Sequence, residues 1–235
     1  MRDDIDTGRG RFRFVQSSSL AAFLDAPMVP TLCFSDTHLV PRETSWADDS
    51  PEDLFALLEA LPVHRVMMLG DLTESVGIPA RERATFGSSE RLAPLFRTMA
   101  ARDPRIVVGN HDVRAIAILE RLFGPDHVAK GGFELGRVRV RHGHEASPVR
   151  TFIESRIGPV AVPIYERLRR GRPPERLDNA TVVSRIRGAA PFVIFGHTHA
   201  PVLDDGMANP GCFLRSAQSF LTIEGHEITL FRRLP

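Results

Sequence analysis

Four short apolar runs, Thr31-Leu32-Cys33-Phe34, Val66-Met67-Met68-Leu69, Ile106-Val107-Val108 and Phe192-Val193-Ile194-Phe195, each lead straight into a cluster of polar, ligand-type side chains. The clusters are Asp36-Thr37-His38, Gly70-Asp71, Gly109-Asn110-His111-Asp112 and Gly196-His197-Thr198-His199. Unbroken apolar runs of this length read as strands buried on both faces. A fifth cluster, His142-Gly143-His144, follows Val138-Arg139-Val140-Arg141, whose alternation reads as a strand with one wetter face. Groups at strand ends converge, so carboxylate, amide and imidazole ligands from distant parts of the chain are expected at one sheet edge. Ordinary turns account for Asp, Asn and Gly at such places, but not for the histidines among them.

The ligand arithmetic points to two cations. Asp36, His38, Asp71, Asn110, His142, His197 and His199 supply seven side chains, too many for one tetrahedral ion with an open position. With one carboxylate shared, they divide into two sets of four. Asp71 is the natural bridge, because a carboxylate can hold two cations about 3.5–4 Å apart. Mixed oxygen and nitrogen donors without thiolate suit divalent Mn, Fe, Zn, Co or Ni better than an all-oxygen Ca or Mg cage, and Mn heads the expectation.

Away from the clusters, Ser50-Pro51-Glu52-Asp53 reads as a helix start, with Ser capping and acidic residues at the positive end, and the helix should run to Ala60. A second helix is expected from Ser89 to Ala101, kinked near Pro94, and a third from Val113 to Phe123, stopped by Gly124-Pro125. Beyond Gly131, residues 133–141 and 220–232 read as hairpins and, with strands near 201–203 and 212–214, suggest a second, more antiparallel sheet. The expected fold is therefore α/β, a four-layer α/β/β/α sandwich of two facing mixed sheets. A chain of 235 residues, 43% hydrophobic, needs no more than one such domain, placed at 30–235. Residues 1–29, with alternating Arg9 to Val15 and a short helix at Leu20 to Leu24 capped by Ser19, read as an extension packed on it.

The formal net charge of +1 gives no global signal for nucleic acid. Two cysteines make no disulfide framework, and Cys33 reads as a buried small hydrophobe, which points to the cytoplasm. No apolar stretch approaches the roughly 20 residues of a membrane span, and the Met-Arg-Asp-Asp start lacks the apolar core of an export signal. Peripheral membrane contact stays open, as does the oligomeric state.

In order and flanks, the five clusters resemble the calcineurin-like metallophosphoesterases, whose pattern is DxH, GDxx(D/E), GNH(D/E), a later His and GHxH. The resemblance runs from about Thr31 to the C-terminus. It implies that Asp36, His38, Asp71 and His199 hold one cation, and Asp71, Asn110, His142 and His197 the other. His111 would be the non-ligand imidazole beside the scissile phosphate, oriented by Asp112, while Glu74 stands where many members have Asp and is not a ligand. The activity implied is hydrolysis of a phosphoester, phosphodiester or pyrophosphate bond in a small phosphorylated substrate, by a metal-activated hydroxide, with His111 aiding the leaving group.

Substrate is less determined. The segment at about 148–179 mixes apolar residues with Arg150, Arg156, Arg167 and Arg169, and reads either as a lid that selects substrate or as a helical layer over the second sheet. Together with the compact core it looks most like the UDP-2,3-diacylglucosamine hydrolase-like branch, which acts on a lipid precursor. That branch commonly has Arg where this chain has His111. A protein or nucleotide phosphatase such as a diadenosine tetraphosphate hydrolase, or a low-turnover metal-binding scaffold, are the alternatives. Asn110 and Arg114 are expected to touch substrate, with a plain surface arginine as the other reading of Arg114. His144 is read as a substrate or ligand neighbour, or as a turn residue.

Overall fold

Three of the apolar runs alternate their side chains between two cores, which fixes the layer order of the fold. The computed structural model describes residues 4–44, 47–76, 78–146 and 177–235. Strands β1 (Ile5–Asp6), β2 (Arg11–Ser19), β3 (Met28–Phe34), β4 (Arg65–Met68), β5 (Pro104–Val107) and β6 (Val128–Ala129) belong to the first sheet. From them Leu32, Phe34, Val66, Met68, Ile106 and Val108 pack into one core, with Leu54, Leu57 and Leu58 of α1 (Pro51–Ala60). Leu95 and Met99 of α3 (Ala93–Ala100) and Leu119 of α4 (Ile116–Phe123) complete that core, and a one-turn α2 (Ala80–Arg83) lies between α1 and α3 in the chain. The intervening Cys33, Met67, Leu69 and Val107 pack into a second core against the other sheet.

That second sheet has the order β10-β11-β9-β8-β7, made of β7 (Phe133–Leu135), β8 (Val138–Val140), β9 (Phe192–Ile194), β10 (Val202–Asp204) and β11 (Met207–Asn209). Strands β8, β9 and β11 run parallel, with antiparallel β7 and β10 at its edges. On its far face Val193 and Phe195 meet Val182, Val183 and Ile186 of α5 (Asn179–Ile186). Helix, sheet, sheet, helix is the four-layer α/β sandwich expected. Most of the 148–179 segment, with Arg150, Arg156, Arg167 and Arg169, lies outside the described residues.

Several local expectations are corrected. The C-terminal hairpin, β13 (Ala217–Gly225) and β14 (Glu227–Arg233), joins the first sheet through β3 and not the second, with a short β12 (Phe213–Leu214) paired on β13. Its unbroken Phe220-Leu221-Thr222-Ile223 explains why: Phe220 enters the helix-side core and Leu221 and Ile223 the core between the sheets, so β13 needs both faces covered. Strand β2 pairs along β14 from Ser19 to Phe12, making the N-terminal residues part of the sheet. Leu20 to Leu24 form a single turn on the Leu20 carbonyl, not a helix. Pro94 begins α3 instead of kinking it, in the first turn, where its missing N–H costs nothing. Ser50 precedes α1 but gives it no side-chain cap, because its hydroxyl donates to Asp53 Oδ2 at 2.6 Å.

Phe12 tests how far the N-terminal strand belongs to the core. It is 1% exposed and packs on Phe220, ring centroids 5.1 Å apart. Phe12→Ala is expected to lower unfolding free energy by about 3–5 kcal/mol in denaturant titration, the usual cost of deleting a buried Phe. A change within about 0.5 kcal/mol, typical of surface sites, would place the strand outside the cooperative unit.

Candidate metal centre

The loops after β3 and β4 are hydrogen-bonded to each other. Asp36 N–H donates to Gly70 O, and the N–H groups of Thr37 and His38 both donate to Asp71 O, each at 3.0 Å. Asp36, His38, Asp71, His197 and His199 all take left-handed backbone, with φ of 53°, 46°, 55°, 71° and 58°. Such residues cost on the order of 1–3 kcal/mol each and persist only where surrounding packing enforces them. The reward is direction: all five turn sharply off their strands into one space. Gly70 and Gly196 are required for closeness, since a Cβ at Gly70 would overlap the His142 imidazole and one at Gly196 the Ser35 hydroxyl.

Each carboxylate is divided between support and site. His111 N–H donates to Asp71 Oδ1 at 2.8 Å, while Oδ2 lies 3.2 Å from His142 Nε2 and 4.0 Å from His38 Nε2. His197 N–H and the Ser35 hydroxyl both donate to Asp36 Oδ2. Asp36 Oδ1 lies 3.2 Å from His199 Nε2, yet it is buried and accepts no hydrogen bond among the described residues. The histidines are aimed by their other nitrogen. His142 Nδ1 donates to Leu69 O at 2.7 Å, which turns Nε2 inward, 3.2 Å from Asn110 Oδ1, as the nitrogen a cation would take once its proton leaves.

Two trios of the expected ligands result, Asp36 with His38 and His199, and Asp71 with His142 and His197, each presenting ligand atoms within 4.8 Å of one another; a further trio of the same closeness, His38 with Glu74 and His111, shares His38 with the first. Asn110 stands beside the second and Asp71 Oδ2 between the two. The structure thus brings all seven candidate ligands together. An orphaned, buried carboxylate oxygen facing an imidazole nitrogen, in a set of oxygen and nitrogen donors, fits divalent transition cations.

The electrostatics of the side chains alone carry the same sense. Burial disfavours charge on His142, but the Asp71 carboxylate outweighs it and pushes the pKa up to about 10. At His199 burial is likewise outweighed, by Asp36, with a pKa pushed up to about 10. Burial, with the neighbouring His142 charge, pushes His197 down to about 3. Burial of Asp71 is overcome by His142 and His111, which hold its pKa well below the usual carboxylate range.

Asp112 does not orient His111. Its buried carboxylate accepts from the N–H groups of Thr73 (2.8 Å), Gly109 (3.0 Å) and Leu72 (3.3 Å) and from the Thr73 hydroxyl (2.9 Å), pinning the two loops together. Burial, then the Asp71 charge, pushes its pKa up to about 6. The partner of the His111 ring is Glu74, whose Oε2 accepts from His111 Nδ1 at 2.7 Å and from His38 Nδ1 at 3.2 Å. Burial works against Glu74 ionising, but the two imidazoles hold its pKa well below the usual range. The signal that would have found it is its place three residues after Asp71, on the loop that faces His111. His144 stands with its ring 5.4 Å from that of His142, and Arg114 N–H donates to Ser75 Oγ at 3.2 Å, next to His111.

A family model described as the calcineurin-like phosphoesterase superfamily domain matches residues 31–224. No curated protein matches the chain. Among solved structures, the chain is similar to a metallophosphoesterase from Sphaerobacter thermophilus, at 18% identity over 90% of this chain and 89% of that one, with a TM-score of 0.45. It is also similar to a novel archaeal phosphodiesterase, at 17% identity over 85% and 99% of the two chains and a TM-score of 0.41. A Vps29 single mutant from Entamoeba histolytica is 16% identical over 86% and 91%, again with a TM-score of 0.41. Likenesses at this level say nothing of substrate.

Cation binding is expected to release protons. His142 and His199 keep theirs up to about 10, so at pH 8 a cation must displace them, and apparent affinity should fall as pH falls. Calorimetric titration of metal-free protein in buffers of different ionisation enthalpy measures the release. Zero net release at pH 8 would contradict the arrangement described.

Proposed function

The chain belongs to the calcineurin-like phosphoesterase superfamily, metal-dependent phosphoester hydrolases, and we propose that it acts with two divalent cations on a small phosphorylated substrate. One cation would be held by Asp36, His38, Asp71 and His199, the other by Asp71, Asn110, His142 and His197. The observation that carries this reading is the division of Asp71: Oδ1 is tied to His111 N–H, while Oδ2 faces an imidazole nitrogen from each set. Bound there, two cations supply acidity to a water and neutralise charge on the phosphoryl oxygens. Mn is the proposed metal on donor grounds, and two free, buried cysteines fit a reducing, cytoplasmic setting.

The protein's own part is proton handling. Glu74 accepts from His111 Nδ1, which fixes the ring and stabilises its charged form, so that Nε2–H is the group to protonate the leaving oxygen. Because the same Glu74 oxygen also takes His38 Nδ1, one carboxylate sets both a ligand and the acid. Among the described residues no helix is long and apolar enough to cross a membrane.

Wild-type protein is expected to bind two equivalents of Mn and to hydrolyse at least one class in a panel of phosphomonoesters, phosphodiesters and nucleotide pyrophosphates. Asp71→Asn should lose metal and turnover together. Two equivalents with wild-type turnover in that variant would overturn the shared-ligand assignment.

His111→Ala should keep its metal while kcat falls by on the order of 10²–10⁴, and by much less for p-nitrophenyl esters, whose leaving group hardly needs a proton. Glu74→Gln should weaken both metal retention and kcat. An equal His111→Ala loss for good and poor leaving groups would assign that ring to positioning.

A further inference from the structure

His197 and His199 are two residues apart in the chain but stand in different ligand sets, so one loop must place two imidazoles at once. Both take left-handed backbone, which persists only where neighbouring groups enforce it. Their contacts take both oxygens of one buried acid: His197 N–H donates to Asp36 Oδ2 at 2.9 Å, and His199 Nε2 lies 3.2 Å from Asp36 Oδ1. Thr198 lies between them, its N–H donating to Gly196 O at 2.9 Å. A small displacement of Thr198 would therefore shift both histidines against Asp36.

What holds Thr198 is an amide outside the ligand sets. Asn209, at the end of β11, is fully buried, and its orientation is fixed because Oδ1 accepts from Gly211 N–H at 2.7 Å. That bond makes an Asx turn of Asn209-Pro210-Gly211, which Gly211 completes with φ of 83°. Nδ2 then faces the loop, donating to Thr198 Oγ1 at 2.9 Å and to Gly196 O at 3.1 Å. The Thr198 hydroxyl donates in turn to Asn179 Oδ1 at 2.5 Å, and Asn179 Nδ2 donates to Ala200 O at 3.0 Å. Asn179 opens α5, which packs on Val193 and Phe195. A hydroxyl that gives its one proton to Asn179 while accepting from Asn209 has no freedom to rotate. The loop is thus gripped from a strand on one side and a helix on the other.

We propose that Asn209, Thr198 and Asn179 are the positioning residues of the metal centre, a hydrogen-bonded chain that sets where His197 and His199 stand and so how both ligand sets close. None of the three touches a cation or the reacting phosphoryl group. The assignment of the two histidines to two cations rests on the reading above, whereas the chain rests on the contacts of Thr198.

Thr198→Val keeps the shape of the side chain and removes its hydroxyl, while Thr198→Ser keeps the hydroxyl. Calorimetric titration of metal-free protein with Mn should show two sites in wild type and Thr198→Ser, and both sites weakened by about 10- to 100-fold in Thr198→Val, the usual effect of a group that orients a ligand. Weakening at both sites is the mark of the shared loop. Wild-type affinities in Thr198→Val, or an equal loss in Thr198→Ser, overturn the proposal. Asn179→Ala, which leaves Asn209 in place, should weaken both sites in the same direction and decides the matter if Thr198→Val does not fold. If wild type takes up fewer than two cations, the two-cation reading fails, and amide exchange in metal-free protein decides the chain by itself. There the His197 N–H should exchange about ten-fold faster in Thr198→Val, or in Asn179→Ala if only that variant folds, than in wild type and Thr198→Ser, with the amides of β9 unchanged. Equal rates at His197 would overturn the chain.

Discussion

A buried negative charge at the end of β4 is the interaction on which the rest is arranged. Asp71 is 2% exposed and lies close to Asp36, which is fully buried, so the fold holds two carboxylates where neither can be hydrated. Without positive charge such a pair would drive one of them to protonate. Here imidazoles from three other segments and from the loop of Asp36 itself surround them, and the backbone N–H groups of His111 and His197 neutralise one oxygen of each. The ligand set is thus also the electrostatic solution to a burial problem, and removing His142 or His199 leaves uncompensated charge as well as a missing ligand.

Geometry of this kind is held at a cost in backbone strain. Five ligand residues in left-handed conformation store several kcal/mol by the usual scale. What keeps them there is the packing beneath: β3, β4 and β5 are covered on both faces, and Asp112 binds the loops after β4 and β5 through four hydrogen bonds. Asp112 resembles a catalytic residue in sequence because it follows His111. Its work is to fix the loops from which Asp71 and His111 project.

The layer order and the convergence of the ligands were legible in the chain because both follow from patterns a few residues long. An apolar run ending in Gly-Asp or Gly-His states its own burial and its own strand end. Partnerships across the chain were less legible. That Glu74 and not Asp112 holds His111 depends on how two loops lie over each other, and sequence adjacency pointed the wrong way. The C-terminal hairpin was recognised as a hairpin, yet its choice of sheet depends on β3 having a free edge, which local pattern does not state. Likewise Arg11 to Ser19 alternate weakly, and only the long antiparallel register with β14 makes them a strand.

The cross-links at the centre have a mechanical consequence. His142 Nδ1 reaches the Leu69 carbonyl, and Asp36 Oδ2 accepts from His197 N–H, so both bonds run from the first sheet to the second. Between the sheets lies an apolar core, whose attraction is non-directional and fixes no polar atom against another. The polar cluster is therefore one clasp that sets the registry of the two halves of the sandwich, and Gln16 Nε2, which donates across to Leu203 O at 2.6 Å, is another. A small shear between the sheets would move Asp36 and Asp71 as one jaw against His142, His197 and His199 as the other, making the spacing of the ligands a direct gauge of how the sheets are aligned.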